Sequence, residues 1–386
     1  MGFLRLYLAI CVIGSHSEAV LPWQMHSGRQ AVQIFYIISG FYIELILSGK
    51  YSGKAGFYKS RALRIFPPYF IIALGVGALS VLTRIFFNDW LALSAYFDDP
   101  LSRNGVAGVL ITAVSNLTVF GQDCVVFLKH DAGQDLAICR SMADSASPLY
   151  QYLVLPQAWS IAVEMCFYLA APFLSRLKTP WLILVILASL GLRLAAAKWL
   201  GLNQNPWNYR FFPFEVMHFA YGMLACRLYR RYKNELPASC RICTLRGYLV
   251  FVVAALAALW IQRQAGSWAG GRIGTENAMI LLMPTWIPAI ALLFALLQMN
   301  PLDRTIGELS YPIYLVHLAV IELAMLITGK LGLLNVPTGP LSALVSVAAA
   351  YLLYQTCLRR LEESRQRRLA GMVSNQQMLS PSTPSA

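Results

Sequence analysis

Charge is scarce in this chain. Only 13% of its 386 residues are Asp, Glu, Lys or Arg, while 58% are hydrophobic. Too few ionic groups remain to coat a water-soluble fold of this size, so a bilayer is the solvent that the composition fits. Metal-binding patterns are missing as well. The eight cysteines are scattered, and the C-x-x-C pair Cys240/Cys243 has neither a second pair nor a nearby histidine, which excludes a standard zinc site. There is no Gly-rich phosphate loop, no internal repeat and no soluble domain. The formal charge of +13 would suggest nucleic acid in a soluble protein, but here Lys and Arg stand in short runs between apolar stretches. That arrangement sets membrane topology and excludes a nucleic-acid partner.

Stretches of about 17–25 apolar residues can cross a bilayer as helices. Ten are predicted, at 4–22, 31–48, 66–86, 152–174, 181–199, 211–228, 247–262, 278–298, 306–327 and 338–358. An eleventh stretch, 106–128, begins apolar but contains Asn116, Gly121, Gln122 and Asp123. The linker 49–65 holds Lys50, Lys54, Lys59, Arg61 and Arg64 and no acid, so the positive-inside rule places it, and the N-terminus, in the cytoplasm. If 106–128 does not cross, Arg176 and Lys178, the six basic residues of 227–246, and Arg359 and Arg360 all fall on that same side. A single crossing there would put every one of them outside.

The predicted architecture is an all-α polytopic membrane protein of about ten transmembrane helices. Both termini are cytoplasmic, one long extracytoplasmic linker spans 87–150, and 106–128 dips in and returns or lies along the outer interface. Residues 1–358 form a single membrane-embedded domain, and 359–386 form a tail that is basic at first and then disordered. Cys124 and Cys139, both outside in this topology, are candidates for a disulfide, although spacing alone does not establish their proximity. Ser17-Glu18-Ala19 after a short apolar run also fits a leader-cleavage pattern, so residues alone leave two readings of the first span.

An ionisable group within a span costs several kcal/mol unless it faces protein or a water-filled cavity, so each is a functional candidate. The chain has Arg5 and His16 in the first span, Glu44 in the second, Glu164 in the fourth, Glu215 and His218 in the sixth, and His317 and Glu322 in the ninth. At 100° per residue, Arg5 and His16 lie within about 20° of one helix face, separated by about 16 Å in depth. Arg5 is also readable as a positive-inside anchor and His16 as a packing histidine. Arg61 and Arg64, one helical turn apart, can grip a polyphosphate such as that of coenzyme A; a topogenic or lipid-headgroup role competes. Glu215 and His218, also a turn apart, suit a structural hydrogen bond as well as chemistry.

Five of these pieces together resemble the acyltransferase-3 family of bacterial membrane O-acyltransferases. They are Arg5 with His16, Ser39-Gly40-Phe41, Arg61-Ala-Leu-Arg64-Ile-Phe-Pro67, Trp159-Ser160 through Glu164 with Phe167-Tyr168, and the stretch Gly307 to His317, which includes Tyr311. The resemblance also decides the first span, because cleavage after Ala19 would discard the residues resembling the catalytic pair. One departure is Gln33, where many relatives carry an acid, so no role for that acid is transferred.

The resemblance implies a stand-alone enzyme of the bacterial inner membrane that moves an acyl group, commonly acetyl, from cytoplasmic acyl-CoA as co-substrate. The acceptor is a hydroxyl of a cell-surface glycan, an exopolysaccharide or a lipid-linked precursor. No bound cofactor or metal is implied. His16 is the expected general base or proton shuttle, since a hydroxyl attacks poorly until its proton is removed. Arg5, Arg61 and Arg64 would hold the donor phosphates. Glu164 and His317, with Trp159, Ser160 and Tyr311, would orient the acceptor or tune His16. A secondary transporter or flippase of a glycolipid is the competing class, but the inverted repeats and broken helices it predicts are not found.

Overall fold

The computed structural model describes residues 1–48, 54–97, 105–131, 134–142, 148–235, 237–273, 275–333, 336–365 and 367. It is 82% helical. The main helices are α1 (Gly2–His16), α2 (Gly28–Leu47), α3 (Lys54–Phe87), α4 (Gly105–Thr118), α5 (Trp159–Leu174), α6 (Thr179–Leu200), α7 (Phe212–Tyr232), α8 (Leu245–Ile273), α9 (Trp286–Leu297), α10 (Pro301–Lys330) and α11 (Thr338–Leu353). A small antiparallel hairpin joins β1 (Leu128–Asp131) to β2 (Gln134–Ile138), with Leu128 opposite Ile138 and Lys129 opposite Ala137.

Eight helices among the described residues are long and apolar enough to cross a bilayer, rather than ten. The first predicted span falls short because α1 stops at His16. Its 15 residues rise about 22 Å, less than the roughly 30 Å of a hydrocarbon core. The reason is local. The Ser15 and Ser17 hydroxyls turn back onto the Cys11 and Ile13 carbonyls (2.9 Å each), and Ser17 leaves the helical region (φ −131°, ψ −159°). The chain re-enters a helix at Ser27, whose side chain and Gln30 form a reciprocal capping box. The sixth span, α7, is long enough but carries Glu215, His218, Arg227, Arg230 and Arg231, and it is buried against α2 and α6 rather than lipid.

The contact between α2 and α7 is a close one. A Cβ on Gly40 would sit 2.0 Å from the Phe219 carbonyl oxygen, and one on Gly222 would sit 1.9 Å from that of Ile37. Only glycine lets the two backbones meet at this distance, as small residues do wherever membrane helices approach closely. The glycine of Ser39-Gly40-Phe41 is thus a packing residue.

Helices α1, α2, α7 and α10 form the interior, together with α5, 67% of whose spanning window is buried. By contrast α8 buries only 11% and turns Leu249, Val250 and Val253 outward, which makes it a peripheral, lipid-facing helix. Helix α3 is continuous from Lys54 through Pro67 and Pro68, so Arg61 and Arg64 stand on its first turns rather than in a loop. Its 34 residues reach about 51 Å, longer than the hydrocarbon core alone requires.

The stretch 106–128 makes no helix of spanning length. Helix α4 ends after 14 residues, Val119 (φ 63°) and Gly121 (φ 84°) take left-handed conformations, and the chain turns back so that Gln122 Nε2 donates to the Ser115 carbonyl (3.2 Å). No disulfide joins Cys124 and Cys139: Cys124 is exposed, and the buried Cys139 thiol donates to the Ser141 carbonyl (2.6 Å). At the other end, the helix beyond α11 continues to Arg365, supported by the pairs Arg359–Glu363 and Arg365–Glu362. The tail predicted to be disordered, beyond 367, lies outside the described residues, as does Lys50 of the basic linker.

Candidate active site

Residues from five helices enclose a cavity of about 120 Å³ at the centre of the bundle. Arg5 of α1, Ser39 and Tyr42 of α2, Arg61 and Arg64 of α3, Ser160 and Glu164 of α5, and Tyr311 and Tyr314 of α10 all line it. Three guanidiniums and one carboxylate therefore line the same small cavity. The Glu164 Oε1 atom accepts from the Ser39 hydroxyl and from Tyr168 (2.7 Å), which fixes the carboxylate toward the cavity. Arg61, 5% exposed, lies 5.9 Å from the Tyr168 ring centroid and 6.0 Å from that of Phe57, a cation–π setting in which a buried guanidinium is tolerated. The Tyr311 hydroxyl donates to the Ile65 carbonyl (3.2 Å) and ties α10 to α3 behind the arginines.

Arg5 and Arg64 also line two further cavities at the end of the bundle where α1 begins, one beside Asp303 and Arg304 and one beside Leu358 and Glu362. These two arginines are thus shared between the central cavity and that end of the bundle. Arg5 is placed there by the close seating of α1 on α10: Asp303 accepts the backbone N–H groups of Gly2 (2.7 Å) and Phe3 (2.8 Å), acting as a cap donated by a distant helix. A Cβ on Gly307 would lie 3.1 Å from the Gly2 Cα and 3.7 Å from Arg5 Nη1.

His16 and His317 do not line the central cavity, but they meet each other, with ring centroids 5.5 Å apart. His317 is fully buried, its Nδ1 lies 2.6 Å from the Tyr314 carbonyl, and its Nε2 has no hydrogen-bond partner. A carbonyl can only accept, so Nδ1 carries the proton and Nε2 of the neutral ring keeps a lone pair. Tyr314 separates the histidines from the cavity. Its hydroxyl is bonded to Ser160 Oγ (2.6 Å) and to the Gln157 carbonyl (2.8 Å). His16 is exposed at the last residue of α1.

Trp159 does not line the central cavity; it stands at the start of α5, where the Arg210 guanidinium lies 4.3 Å from its ring centroid and Tyr209 packs edge-on at 5.4 Å. Arg210, Tyr209, Tyr314 and Gln157 were not singled out by sequence reasoning. For Arg210 the signal was present in the aromatic-rich run Trp207-Asn-Tyr-Arg210 that immediately precedes the sixth span, and for Tyr314 in its place three residues before His317.

Two other intramembrane carboxylates, Glu215 and Glu44, are paired within the fold. Glu215, fully buried, sits 3.1 Å from His218 Nδ1 and 3.5 Å from Arg193 Nη1 and accepts from Gln33 Nε2 (3.3 and 3.2 Å). Gln33 supplies donors where an acid would set a second carboxylate against Glu215. Glu44 accepts from Arg227 Nε (2.9 Å).

The family model for the acyltransferase domain matches residues 1–355. The chain belongs to the acyltransferase-3 family and is a multi-pass membrane acyltransferase. No curated protein and no solved structure matches it.

Proposed function

We propose that the protein transfers an acyl group, acetyl in the simplest case, from cytoplasmic acyl-CoA to a hydroxyl of a cell-surface glycan, an exopolysaccharide or a lipid-linked precursor. In this reading it sits in the bacterial inner membrane with both termini cytoplasmic. The observation that carries the proposal is the meeting of Arg5, Arg61 and Arg64 on one cavity, with Arg5 and Arg64 shared with the cavities at the start of α1 and a histidine pair on the other side of Tyr314. Guanidiniums bind phosphates in pairs of parallel hydrogen bonds, which suits the phosphates of coenzyme A.

The chemistry then runs toward the histidines. The acceptor hydroxyl loses its proton to an imidazole as its oxygen bonds to the thioester carbonyl carbon; the carbon–sulfur bond breaks, and the proton goes on to the leaving thiolate. His16, exposed at the end of α1, is placed to take the proton from an acceptor arriving from outside. His317 offers a second, fixed lone pair next to it. Glu164, Ser160 and Tyr311, expected from sequence on the acceptor side, share the arginines' cavity and so are assigned here to the donor's acyl end, while Trp159 under Arg210 keeps its acceptor-side role. The mass of surface polysaccharide from cells with and without the protein tests this reading. An acyl increment that requires the protein supports it, and identical masses with the protein expressed contradict it.

A further inference from the structure

The last helix does not stop at the basic residues Arg359 and Arg360. Beyond α11 it passes through a π-helical turn, Tyr354–Leu358, and continues as α-helix to Arg365. Tyr354, Leu358, Leu361 and Glu362 of this extension form one wall of the cavity that holds Arg5 and Arg64, leaving about 50 Å³, room for a few waters. On the other flank of the same two arginines, the cavity beside Asp303 measures about 250 Å³ and takes none of its lining from this helix. A single side chain fastens the extension to α3. Arg365 grips both carboxylate oxygens of Glu362, one turn back (Nε to Oε2, 2.8 Å), and its Nη1 donates to the Ser60 hydroxyl (3.3 Å). Arg61 Nη2 donates to that same hydroxyl (3.4 Å), so two guanidiniums converge on one neutral oxygen and Glu362 is the anion paired with the second. An ion pair within one helical turn and a long hydroxyl contact are weak holds, and a π turn interrupts the regular ladder where the helix would pivot.

We infer that the helix from Tyr354 to Arg365 is a lid over the Arg64 side of the arginine site, held closed by the Arg365 latch and released by an anionic donor. The inference rests on the proposed binding of acyl-CoA phosphates and adds a control to it. A phosphate that reaches Arg64 stands in the cavity that Glu362 walls, where the two negative charges repel. Arg365 can exchange one for the other, because its planar fork fits a phosphate as it fits a carboxylate. Once Glu362 is displaced, nothing but the Ser60 contact keeps Arg365 on α3, and the extension is free to swing at the π turn. The donor's own charge is thus the opening signal.

The test places a thiol under the lid. In detergent-solubilised Leu63→Cys protein, the rate of maleimide modification at position 63, which lines the covered cavity, is read by peptide mass. Exposed Cys240 and buried Cys226 serve as internal references. Adding Arg365→Ala, or separately Glu362→Gln, is expected to speed modification at position 63 at least about fivefold, the mark of a local opening, while both reference thiols keep their rates. Unchanged rates at position 63 in both variants would overturn the lid, and so would a gain matched by Cys226 in both, which is general unfolding. In parallel, Glu362→Gln is expected to bind coenzyme A about three- to tenfold more tightly by calorimetry, because a like charge has left the site. Unaltered or weaker binding would overturn the role of Glu362 in holding the lid against the donor. Faster modification in the variants of a protein that binds no coenzyme A would instead contradict the donor reading and leave the latched lid standing.

Discussion

The imidazole rings of His16 and His317 lie 5.5 Å apart, although some three hundred residues separate them in the chain. Helix α1 brings one and α10 the other, and the packing of these two helices on each other sets the spacing. Because the Tyr314 carbonyl holds Nδ1 of His317, the lone pair at Nε2 points away from that bond and stays available.

His16→Ala and His317→Ala are each expected to lower acyl transfer by about 10²–10⁴-fold, the usual worth of a general base, with membrane insertion unchanged. The acyl content of purified polysaccharide, measured beside the amount of protein in the membrane, checks this. Near-normal acylation by either variant would remove that histidine from the chemistry.

On the donor side, Arg61→Gln and Arg64→Gln are each expected to weaken acyl-CoA binding about 10- to 100-fold, the size of a lost charge-assisted hydrogen bond of about 1.5–3 kcal/mol. Their dependence on acceptor concentration should stay as in the wild type. Calorimetry with coenzyme A reads the first quantity directly, and unaltered binding would reduce the pair to topogenic charges.

Gly40→Ala is expected to destabilise the protein without touching the cavity, because its new methyl would meet the Phe219 carbonyl oxygen at 2.0 Å and force α2 and α7 apart. Overpacking of this kind costs about 1–3 kcal/mol. A fall in the thermal midpoint of the detergent-solubilised protein checks it, and an unchanged midpoint would mean that the two helices are not in this contact.

The extent to which the sequence foretold this arrangement differs by feature. Most spans were legible because an unbroken apolar run needs no partner to identify it; Arg5 and Glu164 were legible because charge inside such a run is costly, and Arg61 and Arg64 because two guanidiniums one helical turn apart form a phosphate grip. The first span was overestimated, since nothing in the composition of 4–22 reveals that Ser15 and Ser17 turn back onto the helix and end it at His16. The placement of Trp159 was not legible either. A helix apolar on every side has no periodic face, so sequence could not say that Trp159 stacks under Arg210 while Glu164 turns to the arginines. The link from Tyr314 to His317 depends on a backbone carbonyl, which carries no sequence signature at all.

Stability should depend on pH through His26, which lies between α1 and α2. Burial first, and the nearby Arg263 second, lower it from 6.5 to about 4. Between those values the unfolded chain binds more protons than the folded one, so the neutral ring's contribution is complete above pH 6.5 and is lost as pH falls toward 4. In His26→Gln the decline of the thermal midpoint over this window should be shallower. A decline as steep as that of the wild type would assign acid lability to other groups.

The central claim is that acyl groups enter at the arginine-lined end and leave on a glycan at the histidine end. Proteoliposomes with the protein in one known orientation, given radiolabelled acetyl-CoA on the Arg61/Arg64 side and glycan acceptor on the other, test it in a single measurement. The account predicts label on the glycan with the wild type, and none with His317→Ala or with the two substrates exchanged between compartments. Equal labelling from either side, or labelling by His317→Ala at the wild-type rate, would contradict it.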